Sequence, residues 1–292
     1  MRKIDFGASK NCIVVIGDSR KMDELPNESV QLVVTSPPYP MIDMWDDLFS
    51  QLKPVIRVKL SANNSEDAKV ACRLMHNVLA ENIQECSRVL SEGGICCINI
   101  GDAVRTFGGE FQLFPNHSIM LDTLAGCGLT ILPYILWKKP TNKPNAFLGS
   151  GFLPTNAYVT IDCEYILIAR KGKRRQFKPK DPARYRSQFT KKERDKWFSQ
   201  IWSDIPGTNQ MSNYLSKRSG AFPIEIPRRL IRMFSIEGDT ILDPFMGTGT
   251  SLLAALELNR RFVGYEIDEK VISEPAMLRI KDSGQLLRTK RS

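Results

Sequence analysis

Short apolar runs alternate along this chain with stretches in which apolar residues recur every three or four positions. Cys12 to Ile16 is uninterruptedly apolar and ends at Gly17-Asp18; Val30 to Val34 ends at Thr35-Ser36-Pro37-Pro38-Tyr39. Short runs closed by Gly or Pro read as buried strands, and two prolines remove the donors that further pairing needs. Leu48 to Ser65 follows neither period and ends in the polar stretch Ser61 to Ser65, which predicts a mobile segment. From Ala71 to Leu90 the residues Met75, Leu79, Ile83, Cys86 and Leu90 share one helical face, and Gly93-Gly94 is expected to end that helix. Ile95 to Ile100 predicts a third strand, His117 to Gly126 a helix, and Ile131 to Trp137 and Glu164 to Ala169 two more strands. Near the C-terminus Pro227 suits a helix start, with Leu230, Ile231 and Phe234 on its apolar face. Thr240 to Leu242 then predicts a strand, followed by a helix to about Leu258 and a strand from Phe262 to Tyr265. Strands alternating with helices predict an α/β fold with a mostly parallel sheet covered on both faces.

One segment breaks this rhythm. Between Lys171 and Lys196 lie twelve Lys or Arg residues with Phe177, Tyr185, Phe189, Trp197 and Phe198 interleaved. The composition divides the chain into 1–170, a basic insertion at 171–215, and 216–292. A length of 292 residues suits one large domain carrying such an insertion. The net charge of +9 raises the prior for a polyanionic partner. Seven scattered Cys with no C-x-x-C pair, and only two His, make a metal site or a disulfide framework improbable and fit reduced cysteines in a cytoplasmic protein. Charges interrupt every apolar run, so no membrane span is expected, and the first run ends too soon for a signal peptide.

Two turns carry candidate chemistry. Asp243-Pro244-Phe245-Met246-Gly247-Thr248-Gly249-Thr250 joins a predicted strand to a helix, where glycines let a ligand approach the backbone and the helix start offers free N–H groups. A P-loop needs Lys after the second Gly, where Thr250 stands; a dinucleotide fingerprint needs a third Gly, where Leu252 stands. The acidic Asp243 disfavours a pyrophosphate and suits a cationic ligand, and Glu266, ending the next strand, suits ribose hydroxyls. The second turn, Ser36-Pro37-Pro38-Tyr39, also closes a strand, on the sheet edge where α/β proteins bind ligands. An exocyclic amine is a poor nucleophile because its lone pair is delocalised. Acceptors such as Ser36 Oγ and the turn carbonyls favour its pyramidal form, and Tyr39 can stack on a base. Taken alone, this turn reads better as a rigid Pro-Pro bend with a core tyrosine.

Together these residues resemble the amino-group DNA methyltransferases of the permuted β class, from about Gly17 to Asp268. There a [DNS]-P-P-[YFW] catalytic turn precedes an F-x-G-x-G cofactor turn, with target recognition between them. Here Ser36-Pro37-Pro38-Tyr39, the basic insertion and Phe245-Met246-Gly247-Thr248-Gly249 follow in that order. The resemblance implies a Rossmann-like, circularly permuted fold, S-adenosyl-L-methionine as cofactor and double-stranded DNA as substrate, with base flipping and direct transfer. Ser36, Pro37, Pro38 and Tyr39 take the catalytic positions. Asp18, Phe222, Pro223, Asp243, Phe245, Gly247, Gly249, Thr250 and Glu266 take the cofactor positions. Lys173, Arg174, Arg175, Lys178, Arg184, Arg186, Lys191 and Lys192 are the expected DNA contacts. Trp137 to Pro140 and Glu164 to Leu167 resemble the later sheet strands of the family. Ser in the first catalytic position is more typical of cytosine-N4 members than of adenine-N6 members, which is the alternative. A silent nucleic-acid binder, an RNA methyltransferase and a dehydrogenase are the competing readings. A cognate restriction endonuclease is a candidate partner, and monomer and homodimer are both open.

Overall fold

The computed structural model describes residues 2–5, 12–139, 154–207 and 222–271. In chain order the elements are β1 (Arg2–Asp5), β2 (Cys12–Ile16), β3 (Val30–Thr35), a 3-10 turn at Asp43–Trp45, α1 (Asp46–Leu52), α2 (Val55–Ser61), α3 (Ser65–Val89), β4 (Leu90–Ile100), β5 (Ala103–Phe107), β6 (Glu110–Phe114), α4 (Asn116–Gly126), β7 (Leu129–Lys138) and β8 (Cys163–Lys171). There follow α5 (Pro182–Arg186), α6 (Lys191–Trp197), β9 (Ile201–Trp202), α7 (Glu225–Phe234), β10 (Thr240–Asp243), α8 (Thr250–Glu257), β11 (Arg261–Glu266) and α9 (Glu269–Val271). Among the described residues one nine-stranded sheet runs β1-β2-β11-β10-β3-β4-β8-β7-β9, and β5 and β6 form a separate hairpin. From β2 to β4 the pairings are parallel, whereas β8 lies antiparallel to both β4 and β7. The C-terminal strands β10 and β11 thus fill the middle of the sheet, which is the structural form of the permuted motif order.

Alternation along the strands separates two cores. Val30 and Val33 of β3 and Cys96 and Ile98 of β4 join Met75, Leu79 and Ile83 of α3 and Met120 and Leu124 of α4 on one face. Leu32 and Val34, with Ile95 and Cys97, meet Leu230 and Ile231 of α7 and Leu252 and Ala255 of α8 on the other. Each fully buried aliphatic side chain of this kind contributes about 1.5–3 kcal/mol. Five cysteines, Cys12, Cys72, Cys86, Cys96 and Cys97, are buried as small apolar residues.

Three expectations change. Leu48 to Ser65 is not a mobile segment. It forms α1 and α2, held by the buried Phe49 and Ile56, and the polar stretch is a turn ending at Asn64, whose side chain caps α3 by accepting from Asp67 N at 2.9 Å. Gly93-Gly94 does not end the long helix, which stops at Val89; both glycines lie in an irregular stretch at the start of β4, with Gly93 at φ +75°. The hairpin β5–β6 was not expected at all. Pro140 and residues 208–215 of the basic insertion lie outside the described residues.

The basic segment continues the sheet. Trp197, Trp202 and Ile205 are buried in the same core as α7, and β9 pairs with the end of β7. Composition therefore marks residue 171 as a boundary while the packing runs across it. The segment also leaves the sheet at an informative place. Because β8 runs antiparallel to β4, with Ile95 opposite Arg170 and Ile100 opposite Tyr165, Lys171 emerges at the amino ends of the parallel strands.

Candidate active site

The carboxyl ends of β2, β3, β10 and β11 surround a cavity of about 430 Å³, a volume suited to a small-molecule ligand. Its walls include Asp18, Ser36, Pro38, Phe222, Asp243, Phe245, Gly247, Thr250 and Glu266, which brings both sequence turns to one site. Pro37, Tyr39, Pro223 and Gly249 are not part of this lining. Gly249 takes φ +83° at the start of α8, and Gly247 takes φ +50°, conformations that cost glycine nothing.

Asp243 is 2% exposed and its oxygens accept from Thr35 Oγ1 (2.7 Å), Ser251 Oγ (2.6 Å) and Phe245 N (3.1 Å). It therefore ties β3 to the Gly-rich turn and the first turn of α8. Burial nevertheless pushes its carboxyl up to about 6, against those hydrogen bonds. Glu266 accepts from Gly247 N at 3.1 Å and Asp268 N at 2.9 Å, and burial again raises its carboxyl, with Asp268 and Asp243 adding repulsion. Two carboxyls held above their ordinary range in one cavity fit a cationic guest, since a nearby positive charge restores the ionised form. Asp18 behaves differently. Burial opposes its charge, but Arg20 grips both oxygens through Nε and Nη2 and holds the carboxyl below its usual range.

The opposite wall is apolar and was missed in the sequence. Leu48, Phe49 and Leu52 come from the segment expected to be mobile, Trp45 from the 3-10 turn before it, and Val78 and Leu79 from α3. The helical spacing of Leu48, Phe49 and Leu52 is too short a signal to separate from chance.

A hydrogen-bonded cluster lies beside the Ser-Pro-Pro-Tyr turn. Tyr39 Oη donates to Glu164 Oε2 at 2.9 Å and lies 3.1 Å from Ser36 Oγ. Asn99 Nδ2 donates to Tyr39 Oη and to Glu164 Oε2, both at 2.7 Å, and Lys139 Nζ donates to Glu164 Oε1 at 2.8 Å. Burial, then the Glu164 charge, holds the Tyr39 phenol well above its ordinary value, so it stays protonated. The Tyr39 ring rests on Gly101, where a Cβ would come within 3.0 Å of Cε2. Asn99, Gly101, Lys139 and Glu164 were not singled out as site residues, because only the pairing of β3 with β4, β4 with β8 and β8 with β7 brings them to Tyr39.

Several of the expected DNA contacts stand at the other end of the sheet. Lys173 N donates to Glu92 Oε1 at 2.6 Å, and Arg175 pairs with Asp239 at 2.6 Å, where β10 begins. Arg175 and Arg184 flank the Phe177 ring at 4.8 and 4.7 Å, and Arg186 pairs with Glu237 at 2.7 Å. These groups lie at the amino edge of the sheet, a strand length of roughly 16 Å from the Ser36 edge. Lys173, Arg174, Lys178, Arg184, Arg186, Lys191 and Lys192 are exposed. The antiparallel course of β8 carries the start of the run to that edge, and β9 returns the chain to the end of β7.

Comparison with known proteins agrees with this geometry. A family model described as DNA methylase, of the N6/N4 type, matches residues 30–276. The chain is 57% identical over 279 residues to the Type II methyltransferase M.MjaI of Methanocaldococcus jannaschii, covering 93% of this chain and 91% of that relative. It is 45% identical to the Type II methyltransferase M.MthZI of Methanothermobacter thermautotrophicus, covering 94% and 81%. A solved structure described as a DNA modification methylase from Thermus thermophilus, complexed with S-adenosyl-L-methionine, superposes with a TM-score of 0.70 at 31% identity, covering 93% of this chain and 95% of that one. The PvuII DNA methyltransferase, cytosine-N4-specific, shares the fold with a TM-score of 0.64 at 16% identity, covering 95% and 92%. The chain belongs to the N6/N4 DNA methylase family.

Proposed function

We propose that this DNA methyltransferase uses S-adenosyl-L-methionine to methylate the exocyclic N4 of cytosine in double-stranded DNA. The observation that carries the choice of base is Ser36: a neutral hydroxyl on the cavity wall, where adenine-N6 members typically place a carboxylate. The cavity suits the cofactor. Asp243 and Glu266 answer its positive charge and its ribose hydroxyls, Gly247 and Thr250 admit it to the backbone at the helix start, and Phe222 and the α1 residues cover its flat, apolar parts. Asp18 completes the polar end, oriented by Arg20. When bound, S-adenosyl-L-methionine supplies an electrophilic methyl group.

The residues of the chain then act by position. Ser36 Oγ and the carbonyls of the Pro-Pro turn accept the N–H groups of the amine, which frees its lone pair for attack and stabilises the positive charge that grows on nitrogen. A paired base must leave the duplex to reach this cavity, so the target nucleotide flips. The Tyr39 ring, partly buried and braced on Gly101, stacks on it in this reading. The exposed cations of the 171–196 run, Lys173, Arg174, Lys178, Arg184, Lys191 and Lys192, contribute phosphate contacts away from the target base. The Type II names of the relatives support a restriction–modification setting in the prokaryotic cytoplasm, for which a cognate endonuclease is the proposed partner.

Nucleoside mass spectrometry on DNA incubated with the protein and methyl-labelled S-adenosyl-L-methionine tests the reading. Labelled N4-methylcytosine is expected from the wild-type chain and not from Ser36→Ala. Labelled N6-methyladenine would keep the family and overturn the base.

A further inference from the structure

The cluster beside Ser36 has a direction. Asn99 is 2% exposed, and its Nδ2 is a pure donor shared between Tyr39 Oη and Glu164 Oε2. Its Oδ1 has no partner, so flipping the amide would set that oxygen against a carboxylate and still leave the cluster short of a donor. Lys139 donates to the other carboxylate oxygen. Glu164, 13% exposed in its side chain, is therefore surrounded by donors and accepts from all of them.

Tyr39 has one hydroxyl hydrogen and two neighbours that compete for it. The carboxylate, at 2.9 Å, is the stronger acceptor; Ser36 Oγ is at 3.1 Å. With the hydrogen committed to Glu164, the Ser36 hydroxyl can only donate to Tyr39 Oη. Its lone pairs are left facing the cavity that Ser36 lines. If the hydrogen instead turned to Ser36, the serine hydroxyl would point its own hydrogen into the cavity. That polarity is wrong for an amine. A donor there competes for the nitrogen lone pair, which has to attack the methyl group, and offers nothing to the N–H.

We propose that Glu164 is a positioning residue for methyl transfer: acting through Tyr39, it fixes the polarity of the hydrogen-bond chain so that Ser36 meets the target amine as an acceptor. Asn99 and Lys139 hold the carboxylate in place for this. The inference rests on the reading of Ser36 as the amine-facing group. It assigns the Tyr39 hydroxyl a role separate from any stacking by its ring.

The test is single-turnover transfer of labelled methyl from S-adenosyl-L-methionine to genomic duplex DNA by the wild-type chain, Tyr39→Phe, Glu164→Gln and the double variant. Cofactor affinity, duplex affinity and thermal unfolding are measured alongside. Each single variant is expected to be slower by about 10- to 100-fold, the scale of a lost charge-assisted hydrogen bond. The double variant is expected to be no slower than the slower single, because both break one chain of bonds. Both affinities and the melting temperature are expected to stay at wild-type values. Glu164→Gln at the wild-type rate, a double variant as slow as the product of the singles, or losses that follow weakened binding or folding would overturn the proposal. A wild-type chain that methylates no DNA would overturn the proposed function itself, and with it the amine this chain of bonds serves.

Discussion

Asp243 works in opposite directions on folding and on binding. Its carboxyl is pushed up to about 6 by burial, from an unfolded value of 3.8. Its contribution to the stability of the ligand-free protein is therefore full below 3.8 and lost as pH rises through 6, on the order of 3 kcal/mol. A cationic guest needs the opposite form, the carboxylate. Cofactor affinity measured by calorimetry is expected to weaken as pH falls through about 6, whereas the group's share of ligand-free stability grows over the same range. Asp243→Asn should weaken binding at pH above 6 and flatten both dependences between 4 and 6; a variant with the wild-type pH dependence of affinity would show that another group sets it. Asp18, Asp243 and Glu266 were legible in the sequence because each follows a strand at a Gly-containing or acidic turn. Glu164 and Asn99 carry no such mark. Their links to Tyr39 span 125 and 60 residues and exist only through the pairing of β4 with β3 on one side and with antiparallel β8 on the other.

The same divide appears among the elements. Strands that are apolar throughout and helices as long as α3 announce themselves, since many positions repeat one pattern. α1 and α2 are seven residues each, too short for a period to show, and their anchors Phe49 and Ile56 lie seven apart. Yet α1 supplies much of the apolar cavity wall. Two neighbouring substitutions should separate its roles. Phe49 is 0% exposed within the α3 core, so Phe49→Ala is expected to cost about 3–5 kcal/mol in denaturant unfolding. Leu48 is half-buried on the cavity wall, so Leu48→Ala should weaken cofactor binding with a much smaller loss of stability. Equal stability losses in the two variants would mean that Leu48 belongs to the core and not to the site.

At the scale of the whole molecule, the first part of the basic run and the chemistry occupy different edges of the sheet. The sequence showed the basic run but not its direction, because antiparallel pairing of β8 is invisible in a pattern that reads parallel and antiparallel strands alike. Arg175 and Arg186 neutralise Asp239 and Glu237 there, and Lys191 pairs with Asp195 at 3.0 Å on the exposed face of α6. Exposed cations of the run attract phosphates and release counterions whichever base is the target. The pair Lys191→Ala, Lys192→Ala is therefore expected to lower the slope of log affinity against log salt by up to about 2, weakening binding to every duplex alike. The methylated base and the sequence around it should not change, because nothing that touches the cavity has moved. Altered sequence preference in this variant would mean that DNA bends around the α7 face to bring the run against the recognition site. An unchanged salt slope would mean that the run faces solvent in the complex and that phosphate contacts come from the catalytic edge alone.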